Sequence, residues 1–306
     1  MRVTKTDAFP IGDIYLPNTI IEAQKSNRLV IFAGAGVSAP DLPLRERIVK
    51  DVEEKLPNDM KKRDIETLDE YLGRVAASWG IPIEYLYFEA IDKYDCKPNP
   101  KHHDLLRLFG NPKEVKIITT NLDNLFNKAT ENIFPRSRYP KGRLLSWFPT
   151  GPPQTIPFSG IMYLHGSVEH SPDYFLVTPK KQQIAYREQK WLMNFLRSVF
   201  EHYIVLFIGY SHNDVEFRYF EDEIDDLSEI REYFTLCRDE HKSGLEKFKL
   251  KKMRIITYPT IETNNKHAAL SRFINEWANM TSENSLPSFM EPNPEDLYGG
   301  EIRSER

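Results

Sequence analysis

RLVIFAGAGVSA, residues 28–39, joins a short apolar run to a cluster of small residues. The run RLVIFA has the length and composition of a buried strand, and it ends where the glycines begin. Gly34, Gly36 and Ala39 then satisfy the dinucleotide pattern G-x-G-x-x-G/A, in which missing side chains let the backbone approach a diphosphate. The pattern is short, and a tight turn between a strand and a loop would use the same residues.

Further apolar runs of strand length follow later in the chain, and helical patterns lie between several of them. Continuous apolar strands that alternate with helices predict a Rossmann-like α/β fold, with a parallel sheet covered by helices on both faces. In such a fold the ligand site lies beyond the carboxyl ends of the strands. The predicted strands are Val115–Thr120, Ile161–Leu164, Tyr203–Ile208, Tyr233–Leu236 and Ile255–Tyr258, and the predicted helices between or after them are Leu122–Glu131, Tyr186–Phe200 and His267–Met280.

Composition shifts along the chain predict how it is organised. Residues 28–281 are expected to form one nucleotide-binding domain, and a helical pattern broken by prolines and glycine predicts a helical insertion at about 44–110. Residues 1–27 are interpreted as an N-terminal extension. Residues 282–306, rich in proline and charge, are interpreted as a flexible C-terminal tail.

Two prolines interrupt the region where a phosphate-binding helix would be expected to run. Pro40 is tolerated only near a first turn, and Pro43 favours a loop over a regular helix. The ligand is therefore expected to lie under a loop, which argues against an ordinary hydride-transfer dehydrogenase.

Polar residues follow the second predicted strand. Thr120, Asn121 and Asp123 stand at its end, where such residues serve either as turn and helix-cap groups or as ligand contacts. As ligand contacts, the Asn121 amide would hold a sugar hydroxyl or a water.

His165 follows the third predicted strand and precedes a glycine. A histidine with an ordinary pKa near about 6.5 can be neutral at working pH and accept a proton. A purely structural histidine is the alternative. His102 and His103 stand at a predicted helix start and are interpreted as ordinary residues. Gly209 and Ser211 follow the most apolar strand, where they are expected to face phosphates or a ribose.

Composition excludes several classes of protein. A net charge of −4 gives no electrostatic footprint for nucleic acid or an anionic membrane. The two cysteines, Cys96 and Cys237, form no C-x-x-C pair, so neither a disulfide framework nor a cysteine zinc site is expected. No run approaches the ~20 apolar residues of a membrane span, and no secretory signal is seen, so the expected compartment is the cytoplasm.

Four short motifs together resemble the sirtuin family. GAGVS (34–38), TTNLD (119–123), HG (165–166) and GYS (209–211) occur in the order of that family's GAG-x-S, T-x-N-x-D, His-Gly and Gly-x-Ser segments. The resemblance implies NAD as the ligand and places the nicotinamide carboxamide near Asp123. The cofactor-binding residues it implies are Gly34, Ala35, Gly36, Ser38, Arg45, Thr120, Asp123, Gly209 and Ser211.

A particular branch of that family is indicated. Deacylating sirtuins carry a four-cysteine zinc ribbon after the catalytic histidine, whereas residues 167–202 contain no cysteine. The segment GYSHND and residues 255–277 look like the sirtuin-like NAD-hydrolysing effectors of bacterial antiphage defence, in which an Asn and a His are the functional pair. By position these are Asn121 and His165. The resemblance implies NAD hydrolysis without a metal, a homo-oligomer, and a second defence protein as regulator; the choice between linear and cyclic ADP-ribose stays open.

Three alternatives remain at this point: an NAD-dependent protein deacylase or ADP-ribosyltransferase, a non-catalytic module that binds NAD or ADP-ribose, and, less favoured, a dehydrogenase.

Overall fold

The computed structural model describes residues 7–78, 80, 82–135, 144–149, 151, 153, 157–210, 231–245, 252–260, 267–284 and 286. The strands are β1 (Ala8–Ile11), β2 (Ile14–Pro17), β3 (Leu29–Ala33), β4 (Lys116–Thr119), β5 (Ser146–Trp147), β6 (Gly160–Tyr163), β7 (Ile204–Ile208), β8 (Tyr233–Arg238) and β9 (Met253–Tyr258). The α-helices are α1 (Asn18–Lys25), α2 (Ala35–Ser38), α3 (Arg45–Glu54), α4 (Leu68–Ser78), α5 (Ile83–Asp92), α6 (Pro100–Arg107), α7 (Leu125–Ile133), α8 (Pro179–Gln183), α9 (Trp191–His202), α10 (Lys242–Leu245) and α11 (Ala268–Ser282).

A seven-stranded parallel sheet organises the molecule, in the order β5-β6-β4-β3-β7-β8-β9. The chain builds one half outward from β3 through β4, and then returns to β7 on the other side of β3. Strand order therefore reverses between β3 and β7, which is where ligands bind in open α/β sheets. The predicted Rossmann-like α/β fold is confirmed.

Strand register brings four strand ends level with one another. Ala33 pairs with Thr119 on one side and with Ile208 on the other, and Thr119 pairs with Tyr163. The residues that follow these four positions therefore meet at one edge of the sheet.

Both faces of the sheet are covered, as period-2 alternation in the strands requires. In β3, Leu29, Ile31 and Ala33 face a layer that contains α1, α6, α7 and α11, whereas Val30 and Phe32 face α9. Every residue of β3 is buried, which explains its uninterrupted apolar sequence.

Helices α3, α4 and α5 form a separate cluster that lies over the carboxyl edge of the sheet. Their buried apolar residues pack against Leu122, Phe175 and Val177, which belong to segments that follow the strands. Helix α6, inside the predicted 44–110 insertion, instead packs with α7 and α11 through Leu105 and Leu106.

The N-terminal residues differ from the expected extension. Over 8–25 they form an antiparallel β1–β2 hairpin and α1, whose Ile14, Leu16 and Ile20 are buried in the main core. Alternating apolar residues in β2 and an apolar face on α1 give this segment enough surface to bury. The predicted boundaries at 28 and 281 otherwise stay predictions, and residues 287–306 of the predicted tail lie outside the described residues.

Two predicted helix starts are displaced in the structure. Helix α7 begins at Leu125 rather than at Leu122, and a π-helical turn, Ile184–Glu188, stands before α9. Within the part of the chain that the structure describes, no helix has the length and apolar character needed to cross a membrane.

Candidate active site

Three glycines bring the ends of β3 and β7 into backbone contact. The N–H of Gly34 donates to Ile208 O at 2.9 Å, and the N–H of Gly36 donates to Gly209 O at 2.8 Å. A Cβ on Gly36 would lie 2.9 Å from the Gly209 Cα, and Gly209 itself has a left-handed φ of +66°. These N–H groups, which sequence reasoning assigned to a diphosphate, bond within the protein. Close backbone packing therefore explains the glycines.

Ser38 ends α2 and is the centre of a buried hydrogen-bond network. Its Oγ donates to Asp123 Oδ2 at 2.8 Å, accepts from Asn121 Nδ2 at 3.1 Å and lies 3.2 Å from His102 Nε2. A hydroxyl has one hydrogen to donate and two acceptor positions. The Ser38 hydroxyl thus donates to one protein group, accepts from another and contacts a third, so its place in the site is to hold other side chains.

His102 completes this network from α6. His102 Nδ1 lies 3.2 Å from the backbone N–H of Asn99 and 2.9 Å from Asn99 Oδ1, and Nε2 lies 3.2 Å from Ser38 Oγ, so both ring nitrogens contact polar groups of the protein. Burial lowers the pKa of His102 to about 3, so the ring is neutral at physiological pH.

The Asn121 amide is oriented by its neighbours. Its Nδ2 faces Ser38 Oγ and, at 3.4 Å, Gly34 O, while its backbone N–H donates to Thr119 Oγ1 at 3.0 Å. Because the amide hydrogens point into the protein, Oδ1 is the atom of this side chain that a ligand would meet.

Asp123 lies in the same loop and is 4% exposed. Burial raises the pKa of its carboxyl group, and hydrogen bonds from Ser38, Leu125 and Asn121 oppose that rise. Its Oδ1 accepts the N–H of Leu125 at 3.1 Å, so the first turn of α7 starts there and residues 120–124 stay outside the helix.

His165 stands two residues after β6 and is 8% exposed. Its Nε2 lies 3.1 Å from the hydroxyl of Tyr186, and its carbonyl accepts the N–H of Leu176 at 3.0 Å. The next residue, Gly166, has a φ of +95°, and a Cβ there would lie 3.0 Å from a ring carbon of Phe175. The chain therefore needs a glycine to turn back immediately after the histidine.

These strand ends and the helices above them enclose a cavity of about 120 Å³. We call one side the sheet-edge wall, which consists of Ala35, Ser38, Thr120, Asn121, Asp123 and His165. We call the opposite side the helical wall, which consists of Leu42, Arg45, Ile48, Tyr87 and Ile91. Leu176, Val177 and Gln182 close the end beside His165. An apolar cavity of about 150 Å³ admits one benzene ring, so this one has room for a single ring rather than a dinucleotide.

The structure brings most of the predicted site residues together. Seven of them line the cavity: Ala35, Ser38, Arg45, Thr120, Asn121, Asp123 and His165. Gly34, Gly36 and Gly209 lie at the β3–β7 contact. Ser211 lies outside the described residues.

Arg45 lines the helical wall as part of a charged pair. Its Nη2 lies 2.5 Å from Asp69 Oδ1, and both side chains are roughly a quarter exposed, at 29% and 27%. Burial raises the pKa of the nearby Tyr87 hydroxyl, and the Arg45 guanidinium opposes that rise.

Sequence reasoning missed four residues of the site. His102 was interpreted as ordinary, although Asn99 three residues earlier could have indicated a helix N-cap whose partner is the His102 ring. Tyr87, Gln182 and Tyr186 carry no local signal, because only the packing of their helices brings the first two to the cavity and Tyr186 to His165. Among the described residues, no group of three or more His, Cys, Asp or Glu side chains could hold a metal ion.

The fold and the site together define a Rossmann-like α/β protein whose polar residues gather at the strand-order reversal. A family model described as "SIR2-like domain" matches residues 115–257. Residues 115–257 are therefore similar to a SIR2-like domain, and the predicted resemblance to the sirtuin family is confirmed.

Two relatives extend the comparison. The chain is 25% identical over 235 residues to "Uncharacterized protein y4cA" of Sinorhizobium fredii, a match that covers 72% of this chain and 19% of that protein. It is 36% identical over 115 residues to "Defense-associated sirtuin 2" of Bacillus subtilis, which covers 36% of this chain and 11% of that protein. The chain thus spans less than a fifth of the length of either relative.

Proposed function

We propose that this chain hydrolyses the bond between nicotinamide and ribose in NAD, and that it depletes NAD as an effector of bacterial antiphage defence. One observation carries the proposal: Asn121 and His165, from loops after different strands, line the same small cavity beside Asp123. The named relative from Bacillus subtilis supports the defence setting.

The cavity suits the nicotinamide end of the substrate. Its volume of about 120 Å³ matches one aromatic ring, and Ile48, Ile91 and Val177 supply apolar surface for that ring. The Asp123 carboxylate can accept a hydrogen bond from the carboxamide NH₂. The remainder of the dinucleotide would extend past the glycine contact at the β3–β7 switch point.

The chemistry needs few protein groups. Nicotinamide leaves as a neutral molecule because the bond that breaks joins ribose to a cationic ring nitrogen. Water attacks the same carbon, so the products are nicotinamide, ADP-ribose and one proton. The protein must exclude bulk water, place one attacking water and stabilise positive charge on the sugar.

Asn121 and His165 divide that work. The Oδ1 of Asn121 would accept a hydrogen bond from the attacking water or from a ribose hydroxyl, since Ser38 and Gly34 hold the amide hydrogens. His165 would take the proton from that water or hydroxyl, a contribution typically worth about 10²–10⁴ in rate. The hydroxyl of Tyr186, 3.1 Å from Nε2, orients the ring.

The setting of the activity follows from the same resemblance. We place the reaction in the cytoplasm, carried out by a homo-oligomer that a second defence protein regulates. Defence effectors of this kind deplete NAD after a trigger, so activity is to be measured with and without candidate partners.

The test compares nicotinamide release by the wild type with that by Asn121→Ala and His165→Ala. Each substitution is expected to lower kcat by about 10²–10⁴. Asn132→Ala and His202→Ala, at exposed positions, are the matched controls and should retain wild-type rates.

Three results contradict the proposal. Both site variants at the wild-type rate would exclude the mechanism. Release that depends on an acyl-lysine peptide would favour a deacylase. Tight NAD binding without release, under every activating condition, would favour a binding module.

A further inference from the structure

One buried polar atom beside the cavity has no use in the mechanism described above. Gln182 lies in α8, is 3% exposed and lines the cavity at the end next to His165. Its Oε1 is buried and has no hydrogen-bond partner among the described residues. A buried acceptor without a partner costs free energy, so such atoms in folded proteins call for an explanation.

The other half of the same amide is fixed. Gln182 Nε2 donates to Leu176 O at 3.0 Å, and the N–H of Leu176 donates to His165 O at 3.0 Å. An amide whose nitrogen must face a carbonyl has its oxygen on the opposite side, because exchanging the two would set oxygen against oxygen. Gln182 therefore presents an acceptor, not a donor.

The position of that acceptor relative to His165 is set by one helical segment. Tyr186 follows Gln182 by four residues, in the middle of the π-helical turn Ile184–Glu188, so both side chains lie on roughly the same face. Tyr186 contacts the His165 ring at 3.1 Å, and Gln182 is connected to the His165 backbone through Leu176. The segment thus supports the proposed base through Tyr186, and it supplies a buried acceptor from a residue that lines the same cavity.

The geometry points to Gln182 as a substrate-positioning residue whose Oε1 accepts a hydrogen bond from a hydroxyl of the ribose that carries nicotinamide. This inference rests on the proposed function, because it requires the nicotinamide end of NAD in the cavity. The carboxamide NH₂ is the other donor of that part of NAD, but the proposed function already pairs it with Asp123. A hydroxyl of the nicotinamide ribose is therefore the donor that remains for Gln182 Oε1 at the His165 end of the cavity.

Two NAD analogues test the assignment, one without the 2′-hydroxyl and one without the 3′-hydroxyl of the nicotinamide ribose. For the wild-type chain we expect one of them to have kcat/KM about 10- to 100-fold below that of NAD, because the buried acceptor is then left unpaired. Equal use of NAD and both analogues, within twofold, would overturn the inference whatever any variant does.

Gln182→Met supplies the second arm, since it keeps the side-chain length and removes the acceptor; because it also removes the donor to Leu176 O, the loss of analogue discrimination is the decisive readout. We expect the variant to lose about 10- to 100-fold on NAD and then to show no further loss on the sensitive analogue. A further loss as large as in the wild type would assign the hydroxyl to another residue. Gln183→Met, at the exposed neighbour, is the matched control and should discriminate as the wild type does.

Binding separates the two proposals. Calorimetry in the His165→Ala background gives dissociation constants for NAD and for both analogues without turnover. Binding discrimination that Gln182→Met abolishes, together with a wild-type chain that releases no nicotinamide under any activating condition, would support Gln182 and refute hydrolysis. Nicotinamide release with no analogue discrimination would do the reverse, and failure to bind NAD would overturn both.

Discussion

The two walls of the cavity differ in the kind of side chain that lines them. The sheet-edge wall is polar and cross-linked: Ser38, Asn121, Asp123 and His102 behind it satisfy one another over distances of 2.8–3.2 Å. The helical wall is mainly aliphatic and aromatic, and its one charged group, Arg45, is paired with Asp69 near the surface.

The two walls therefore have different tasks: the sheet-edge wall holds the reacting groups, and the helical wall gives the ring site its shape. A polar network inside a protein holds its members firmly, and a partly satisfied one is costly, so the sheet-edge wall should tolerate little change. The helical wall excludes water and shapes the ring site mainly by packing. Substitutions there should change affinity by modest amounts and leave the reacting groups in place.

The largest effect that would test this contrast is expected from Ser38→Ala. The change removes a hydrogen bond from Asn121, Asp123 and His102 at once. We expect kcat for nicotinamide release to fall by about 10²-fold, because small misplacements of reacting groups cost that much. The free energy of unfolding should fall by about 1–3 kcal/mol.

Ser26→Ala is the control for that prediction. Ser26 is exposed at the end of α1, and its hydroxyl donates only to main-chain oxygens nearby. The control should keep wild-type turnover. Full turnover in Ser38→Ala as well would mean that Asn121 is positioned without the network.

The two walls also differ in how much of each could be predicted from the sequence. Asn121, Asp123 and His165 were predicted because each follows an apolar strand, and register then places strand ends together. The partners of these residues could not be predicted, because the contact of His102 with Ser38 depends on how α6 packs against α2.

Less of the helical wall could be predicted from the sequence. Its helices were predicted from apolar periodicity, but periodicity states only which face is buried, not what that face meets. Tyr87 and Ile91 therefore read as ordinary core residues. The position of the glycine loop was predicted correctly. What the sequence did not predict is that the N–H groups of Gly34 and Gly36 donate across the β3–β7 contact.

Glycine-to-alanine substitutions in the elements behind the two walls should change the free energy of unfolding in opposite directions. Gly209→Ala places a side chain at φ +66° and 2.6 Å from Val37 N, whereas a Cβ at Gly73 in α4 meets only Pro179 at 3.7 Å. We expect Gly209→Ala to lower the free energy of unfolding by about 1–3 kcal/mol. Gly73→Ala should raise it by about 0.5–1 kcal/mol, because alanine favours the helix.

Denaturant unfolding of the two variants beside the wild type measures both numbers. Destabilisation by both substitutions would show that α4 cannot accept a methyl group at this place. A neutral Gly209→Ala would contradict the close approach of the two strand ends.

The smallest effect is expected at the charged pair of the helical wall. Asp69→Asn removes the charge that neutralises Arg45 while it keeps the shape of the side chain. Because the pair is partly exposed, the free energy of unfolding should change by less than about 1 kcal/mol. Loss of the Asp69 charge makes this part of the wall more positive, which should attract the diphosphate of NAD and lower KM about two- to threefold at low salt. That gain should shrink at higher ionic strength, because salt screens charges at the surface.

Arg45→Ala is the opposite variant and should raise KM with kcat unchanged. If both variants raise KM equally at every salt concentration, Arg45 acts on the packing of Tyr87 rather than on the substrate, and the helical wall then contributes shape alone.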